Sequence, residues 1–255
     1  MAIPPVTRLL LFATILSGAL YTFGVVDAVH FLFIPSKIIN EFQIYRLVLP
    51  VIFAGKFEFS FAMHLYILYQ NCKSYETSPF NTGAGGTSAD FLWMVMIGTA
   101  LLWPIAYYFQ IFVLSQPMVY MIMYVWSRRF PDEQRNMFGV FSLKVAYIPW
   151  FYVAIHVLMG NSITPILVGI AVGHIYYYII EVLPRTSNVD LVKTPIFCSK
   201  IINYLTGGSQ GASPRPAATQ QGPNAQRPLN QRANQGFPNV GGGYNWGNGR
   251  TLGTQ

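Results

Sequence analysis

Charge is what this 255-residue chain has least of. Only 10% of its residues are Asp, Glu, Lys or Arg, against about 25% in soluble domains. That shortage excludes a water-facing surface over most of the chain. Cysteine is scarce too. Cys72 and Cys198 are the two present and form no CxxC, which excludes a disulfide scaffold and a thiolate metal or redox framework. Acid disappears after Asp190, whereas Lys193, Lys200, Arg215, Arg227, Arg232 and Arg250 follow it. The formal charge of +7 is therefore mostly a tail property: residues 191–255 carry +6, and the first 190, with ten bases and nine acids, carry +1. Arg215, Arg227 and Arg232 stand apart rather than clustered, so a nucleic-acid footprint is not expected.

What is present is apolar. Hydrophobic residues make up 53% of the chain and aromatics 16%, with a mean hydropathy of +0.38. The composition predicts an all-α polytopic membrane protein. A hydrocarbon core of about 30 Å takes about 20 helical residues, and the gaps between charges predict six spans. Leu9–Phe33 is the first, apolar except for Asp27 and His30, and too long for a cleavable signal peptide. Leu47–Tyr69 is the second, despite Lys56 and Glu58. No charge occurs from Phe91 to Ser127. One helix over that stretch would reach about 55 Å, so a turn is expected at Ser115-Gln116-Pro117, with spans three and four both short. Phe138–Met159 and Ile163–Leu183 make the fifth and sixth.

This organisation gives residues 1–8 as a short N-terminus, 9–184 as the six-span membrane domain and 34–46 as the one sizeable far-side loop. Ile38, Ile39, Phe42 and Ile44 alternate there with polar residues, as in an interfacial amphipathic segment. Residues 185–206 form a juxtamembrane segment. Residues 207–255, rich in Gly, Pro, Gln, Asn and Ser, have too little apolar surface to fold and are expected to be a disordered tail. Arg8, Lys73, Arg128, Arg129, Arg135, Arg185 and the six tail bases fall on the side of the termini, and Lys37 and Arg46 on the other. The positive-inside rule then places both termini in the cytosol.

Ionisable residues at bilayer depth are costly and normally face water or a partner. Lys56, Glu58, Lys144 and His174, with His64 and His156, all fall in predicted spans. Two readings stand: a hydrophilic groove through the bundle, or snorkelling with hydrogen bonds inside the fold. Short spans three and four would also thin the bilayer locally. Gly169 and Gly173, four apart in span six, predict a close helix contact, within the fold or at a homodimer face.

Several runs resemble the derlin family, rhomboid-like proteins of the endoplasmic reticulum without protease activity. They are Pro4-Pro5-Val6-Thr7-Arg8 and Tyr124-Val125-Trp126-Ser127-Arg128-Arg129-Phe130-Pro131-Asp132, then Phe138-Gly139 and Pro149-Trp150. Gly169-Ile170-Ala171-Val172-Gly173-His174-Ile175-Tyr176 and Glu181-Val182-Leu183-Pro184 complete the set. The resemblance covers about residues 4–200 and implies a six-helix rhomboid-like bundle. Derlins carry a Trp-Arg pair at the end of the first loop; here it is Tyr45-Arg46, which the resemblance casts as a lumenal substrate or partner contact. Trp246-Gly247-Asn248-Gly249-Arg250-Thr251-Leu252-Gly253 resembles the SHP box, whose anchors would be Trp246, Gly247, Gly249, Leu252 and Gly253. In relatives this box binds the valosin-containing-protein (Cdc48-type) AAA ATPase. The tether from Arg185 to Trp246 has a reach of roughly 40–45 Å as a flexible coil.

The resemblance implies a non-enzymatic component of endoplasmic-reticulum-associated degradation. It would pass misfolded proteins to the cytosol beside a membrane ubiquitin ligase, and it implies no cofactor and no metal. A small-solute channel would explain intramembrane charge but not the box. An active rhomboid protease would need Gly-x-Ser-Gly in span four; that motif is absent, and Ser115 sits in Leu-Ser-Gln-Pro. His174 has no evident serine to pair with.

Overall fold

The computed structural model describes residues 3–137, 141–187 and 192–206. The tail 207–255, with its box at 246–253, and the Phe138-Gly139 pair lie outside the described residues. Helix α1 spans Pro5–Thr22. Three short helices follow: α2 (Ala28–Phe31), α3 (Pro35–Asn40) and α4 (Leu49–Ile52), with a 3-10 turn at Ile44–Leu47. Then come α5 (Phe59–Glu76), α6 (Ser88–Phe109) and α7 (Ser115–Arg129). A two-stranded antiparallel hairpin, β1 (Gln134–Met137) with β2 (Phe141–Lys144), precedes α8 (Ile148–Leu158). Helix α9 (Thr164–Tyr177) continues through a π-helical turn at Tyr178–Val182 into α10 (Leu183–Ser187), and α11 spans Ile196–Leu205.

Pro5–Thr22, Ser88–Phe109 and Thr164–Val182 are long and apolar enough to cross a membrane. The chain is a mostly helical, multi-pass membrane protein. Its outer surface suits lipid rather than water: Phe12, Tyr108 and Leu158 are among many large apolar side chains that face outward. The core forms around α7, where every residue from Pro117 to Ser127 is buried. Such all-round burial marks a helix enclosed by its neighbours. Helices α5, α6, α8 and α9 all pack on it.

Long apolar helices stand at α1, α6 and the α9 segment, within the first, third and sixth predicted spans, but the bounds of the first and the expected shortness of the third do not hold. Helix α1 stops at Thr22, where Gly24 takes a left-handed φ of 71°. The far-side connection therefore runs from Phe23 to Glu58, longer than the expected 34–46. It is pinned to the bundle by Ser17 Oγ on Ile52 O (3.0 Å), Trp103 Nε1 on Leu47 O (3.1 Å) and Ser115 Oγ on Phe53 O (2.6 Å). Ile39, Phe42 and Ile44 project from it. The α6–α7 turn lies at residues 110–114, ahead of the expected one, because Gln110 adopts the left-handed C-cap of α6. Helix α6 is accordingly full length, about 33 Å, whereas α7 measures about 22 Å and α8 about 16 Å. The expected fifth span begins as the hairpin, with register Gln134↔Lys144 and Asn136↔Ser142; only its second half is helical.

Candidate functional site

Two features organise the molecule: a cleft over α7 and a set of hydrogen-bonded clasps at the bundle end that carries most of its bases.

The cleft arises because α5 and α8 flank α7 without closing over it. A cavity of about 380 Å³ opens between these three helices. Its wall is mainly apolar, from Phe59, Met63, Ile67, Ile155 and Met159, and is interrupted by Ser60, His64, Gln116, Tyr120, His156 and Asn161. Tyr120 Oη lies 2.9 Å from His156 Nε2, with the rings edge to face. His64 Nε2 is buried and has no hydrogen-bond partner among the described residues. Gln116 is the one residue of α7 before Arg128 that is exposed, and it faces this opening. An apolar wall dotted with polar groups can hold an amphipathic segment.

At the basic end, Glu76, the last residue of α5, caps α1. Its carboxylate accepts from Val6 N (2.9 Å), Thr7 N (2.7 Å) and Thr7 Oγ1 (2.6 Å). These amides are orphan donors of the first helical turn, where a negative charge is favourable. Asp90 is the second clasp. Its Oδ1 accepts from Thr82 N and Oγ1, Ala84 N and Thr194 Oγ1, and its Oδ2 from Gly86 N and Thr87 N. One buried carboxylate thus shapes the α5–α6 turn, closes the Thr87 capping box and holds the segment before α11. Burial, and then the Asp90 carboxylate, push the Cys198 thiol up; its side chain is fully covered, a poor setting for the acylation that a juxtamembrane cysteine invites.

The α7 exit completes this end. Tyr124 Oη meets His174 Nδ1 at 2.8 Å and accepts from Arg128 Nε at 3.0 Å. The Arg129 guanidinium covers the Phe80 ring at 4.5 Å, and that of Arg135 covers Trp126 at 4.3 Å. Burial lowers the Arg135 guanidinium from its usual range.

The residues expected to line a groove are not brought together. Lys56 and Glu58 lie in the connection before α5, both exposed, and Lys56 Nζ sits 5.6 Å from the Tyr21 ring centre. They leave the span because Gly55, at φ 96°, breaks the helix that hydropathy suggested. Lys144 ends β2 and is exposed. His174 belongs to the Tyr124 cluster, away from the cleft. Arg46 is 1% exposed. Its guanidinium donates to Val29 O, to Leu32 O (3.1 Å) and to Gln43 Oε1, and Tyr45 Oη donates to the same Gln43 oxygen at 3.0 Å. Arg46 therefore staples its own loop and has no free face for a substrate; Tyr45 is 42% exposed and keeps one.

Gly169 and Gly173 pack α9 on α7. A Cβ at Gly169 would lie 2.5 Å from Pro117 O, and one at Gly173 3.0 Å from Met121 O. This contact lies within the chain and leaves that face no room for a second copy. Ser115 and His174 make no dyad: Ser115 Oγ donates to Phe53 O, and His174 pairs with Tyr124.

Sequence reading missed both clasps and the Tyr120–His156 pair. Thr87-Ser88-Ala89-Asp90 carries the spacing of a capping box and could have announced Asp90. Glu76 gave no such signal, since it caps a helix 70 residues away.

Comparison with known proteins agrees with this architecture. The model of the Der1-like family matches residues 3–196. Derlin-1 of Arabidopsis thaliana is 34% identical over 221 residues, covering 85% of this chain and 80% of the relative. Derlin-1 of Oryza sativa subsp. japonica is 33% identical over 241 residues, covering 92% and 96%. Derlin-1.2 of Zea mays is 33% identical over 203 residues, covering 78% and 82%.

Proposed function

This chain belongs to the Der1-like family, and from that premise we propose that it is a non-enzymatic component of endoplasmic-reticulum-associated degradation that aids the retrotranslocation of misfolded proteins. In this reading it sits in the endoplasmic-reticulum membrane with six crossings and both termini in the cytosol. The concentration of Arg8, Lys73, Arg128, Arg129, Arg135 and Lys144 toward one end of the bundle supports that orientation.

The observation that carries the proposal is the cleft over α7. It has an apolar wall that tolerates a membrane-embedded chain and presents His64, Gln116, Tyr120, His156 and Asn161 to peptide groups. A peptide that crosses hydrocarbon must satisfy its backbone polar groups, and such side chains lower that cost. The short α8, which turns Trp150, Val157 and Leu158 outward, acts in the same direction, because the bilayer thins around a short helix. The tail would then recruit the Cdc48-type ATPase through Trp246, Gly247, Gly249, Leu252 and Gly253, and a membrane ubiquitin ligase would mark the emerging chain.

Photo-crosslinking tests the path. A crosslinker at Met63 or Asn161, inside the cleft, is expected to capture a misfolded client during its degradation, whereas one at Phe12, on the outer face of α1, is not. Equal capture from all three positions would remove the cleft from the mechanism.

A further inference from the structure

Helix α11 is built for a surface that the described residues do not supply. At about 100° per residue, Phe197, Cys198, Ile201, Ile202, Tyr204 and Leu205 share one broad arc, and Ser199, Lys200 and Asn203 the opposite one, which Ile196 joins at the first turn. Only part of the apolar arc is covered by the described residues. Cys198 and Ile202 are buried against the bundle, where α11 packs on α6 and α1 and the Phe197 ring meets Trp93 edge-on at 6.1 Å. The flank beside them stays open: Phe197, Ile201 and Tyr204 are all exposed, Tyr204 at 88%.

Three observations identify what covers that flank. First, α1 and α6 are two of the helices long enough to cross a membrane, and α11 packs on both and lies at the start of α6, where Thr194 bonds Asp90 and Phe197 meets Trp93. Second, α1, on which α11 also packs, turns large apolar side chains outward at Leu9 and Phe12. Third, Lys200 lies beside Tyr204 at about 100° per residue and Lys193 just precedes the helix, both exposed, and no acid follows Asp190. Apolar side chains beside lysines at membrane-entry depth match the anionic headgroup zone of a leaflet.

We propose that α11 is a membrane-surface anchor, seated by its Phe197–Ile201–Tyr204 flank in the headgroup zone of the leaflet at the basic end, with Lys193 and Lys200 on anionic lipid. The Asp90 clasp sets its position. Thr194 N donates to Thr82 O at 2.7 Å, and Thr194 Oγ1 lies 2.6 Å from Thr82 Oγ1 and bonds Asp90, so the helix begins at a fixed point beside α6. The inference rests on the membrane architecture alone and is independent of substrate passage.

Depth-dependent fluorescence tests it in the full chain, reconstituted in phosphatidylcholine vesicles with and without phosphatidylserine. Single labels are placed by Tyr204→Cys and by Asn203→Cys with an environment-sensitive fluorophore; Cys72 and Cys198 are buried and compete little. The Tyr204→Cys label should show blue-shifted emission, quenching by lipids that carry a nitroxide near the headgroup, and no quenching by aqueous iodide. The Asn203→Cys label should show the reverse. In phosphatidylserine vesicles, Lys193→Glu with Lys200→Glu should weaken the nitroxide quenching at 204. Iodide quenching at 204 as strong as at 203 would overturn the proposal. So would a Tyr204→Cys label shielded from both quenchers, which would mean a protein partner or a second copy covers the flank.

Discussion

Glu76 works as a helix cap supplied from a different helix. Its three acceptor contacts replace water for the first turn of α1, in a site where Val6 and Thr7 are almost wholly covered. Leaving buried amides unpaired costs about 1–3 kcal/mol each. Glu76→Ala should therefore destabilise the protein by on the order of 3 kcal/mol, and Glu76→Gln, which keeps an acceptor but loses the charge, by about half of that; thermal melting in detergent measures both. An unchanged melting temperature for the alanine variant would mean that the amides find other acceptors. Arg46 acts on the same scale. Arg46→Ala should expose the 23–58 connection to limited proteolysis while ATPase recovery with the protein stays at its original level, since the guanidinium is spent on Val29 O, Leu32 O and Gln43. Protease resistance equal to that of the parent would contradict the staple. Of these roles, a basic residue near the end of the first loop was legible in the sequence; its burial was not, because three short helices had to fold before Val29 O and Leu32 O faced it.

At the scale of elements, the contact between α7 and α9 is the most extensive among the described residues. Gly173→Leu would push a side chain onto Met121 O and the Tyr124 ring, and overpacking of this kind costs about 1–3 kcal/mol or more. Its expected signature is low steady-state abundance and a lowered melting temperature, and normal values for both would show that the pair can separate. Spacing alone revealed this contact, since small residues four apart lie on one helix face. Likewise α1, α6 and the α9 segment followed from uninterrupted apolar runs. The stretches 23–58 and 134–147 did not. Short apolar runs read alike as helix or strand, so Phe141 and Leu143, which belong to a hairpin, passed for the start of a span. Gly24 and Gly55, both at positive φ, were the breakers that should have outweighed hydropathy there. Intramembrane Lys56, Glu58 and Lys144 were a product of those misplaced boundaries.

For the whole molecule, the displaced lysines sharpen the division between its ends. One end carries clasps, aromatic-covered arginines and α11; the other carries a long connection held on the α6–α7 turn. The proposed ATPase site belongs to this scale, because it needs a tether and not a fold. Trp246→Ala combined with Leu252→Ala should abolish co-purification of the Cdc48-type ATPase while membrane insertion and melting temperature stay unchanged. Retained ATPase in that double variant would place the recruitment elsewhere. The cleft over α7 was expected only in kind: polar groups at depth were legible, but His64, Gln116 and Asn161 come together through the crossing of three helices, which spacing along one chain does not encode.

The two carboxylate clasps also impose a timetable on biosynthesis. The chain is made from its N-terminus, so α1 enters the membrane with its first amides unsatisfied, and it waits for a residue 70 positions later before Glu76 can cap it. Asp90 can organise its own turn at once, yet its bond to Thr194 spans 104 residues and forms only when nearly the whole membrane unit has been synthesised. The first helix thus stays unsettled until α5 arrives, and α11 docks last. A ribosome-bound chain that exposes residues up to Glu76 should already hold the start of α1 against protease, while one that stops short of α5 should leave it open to early quality control.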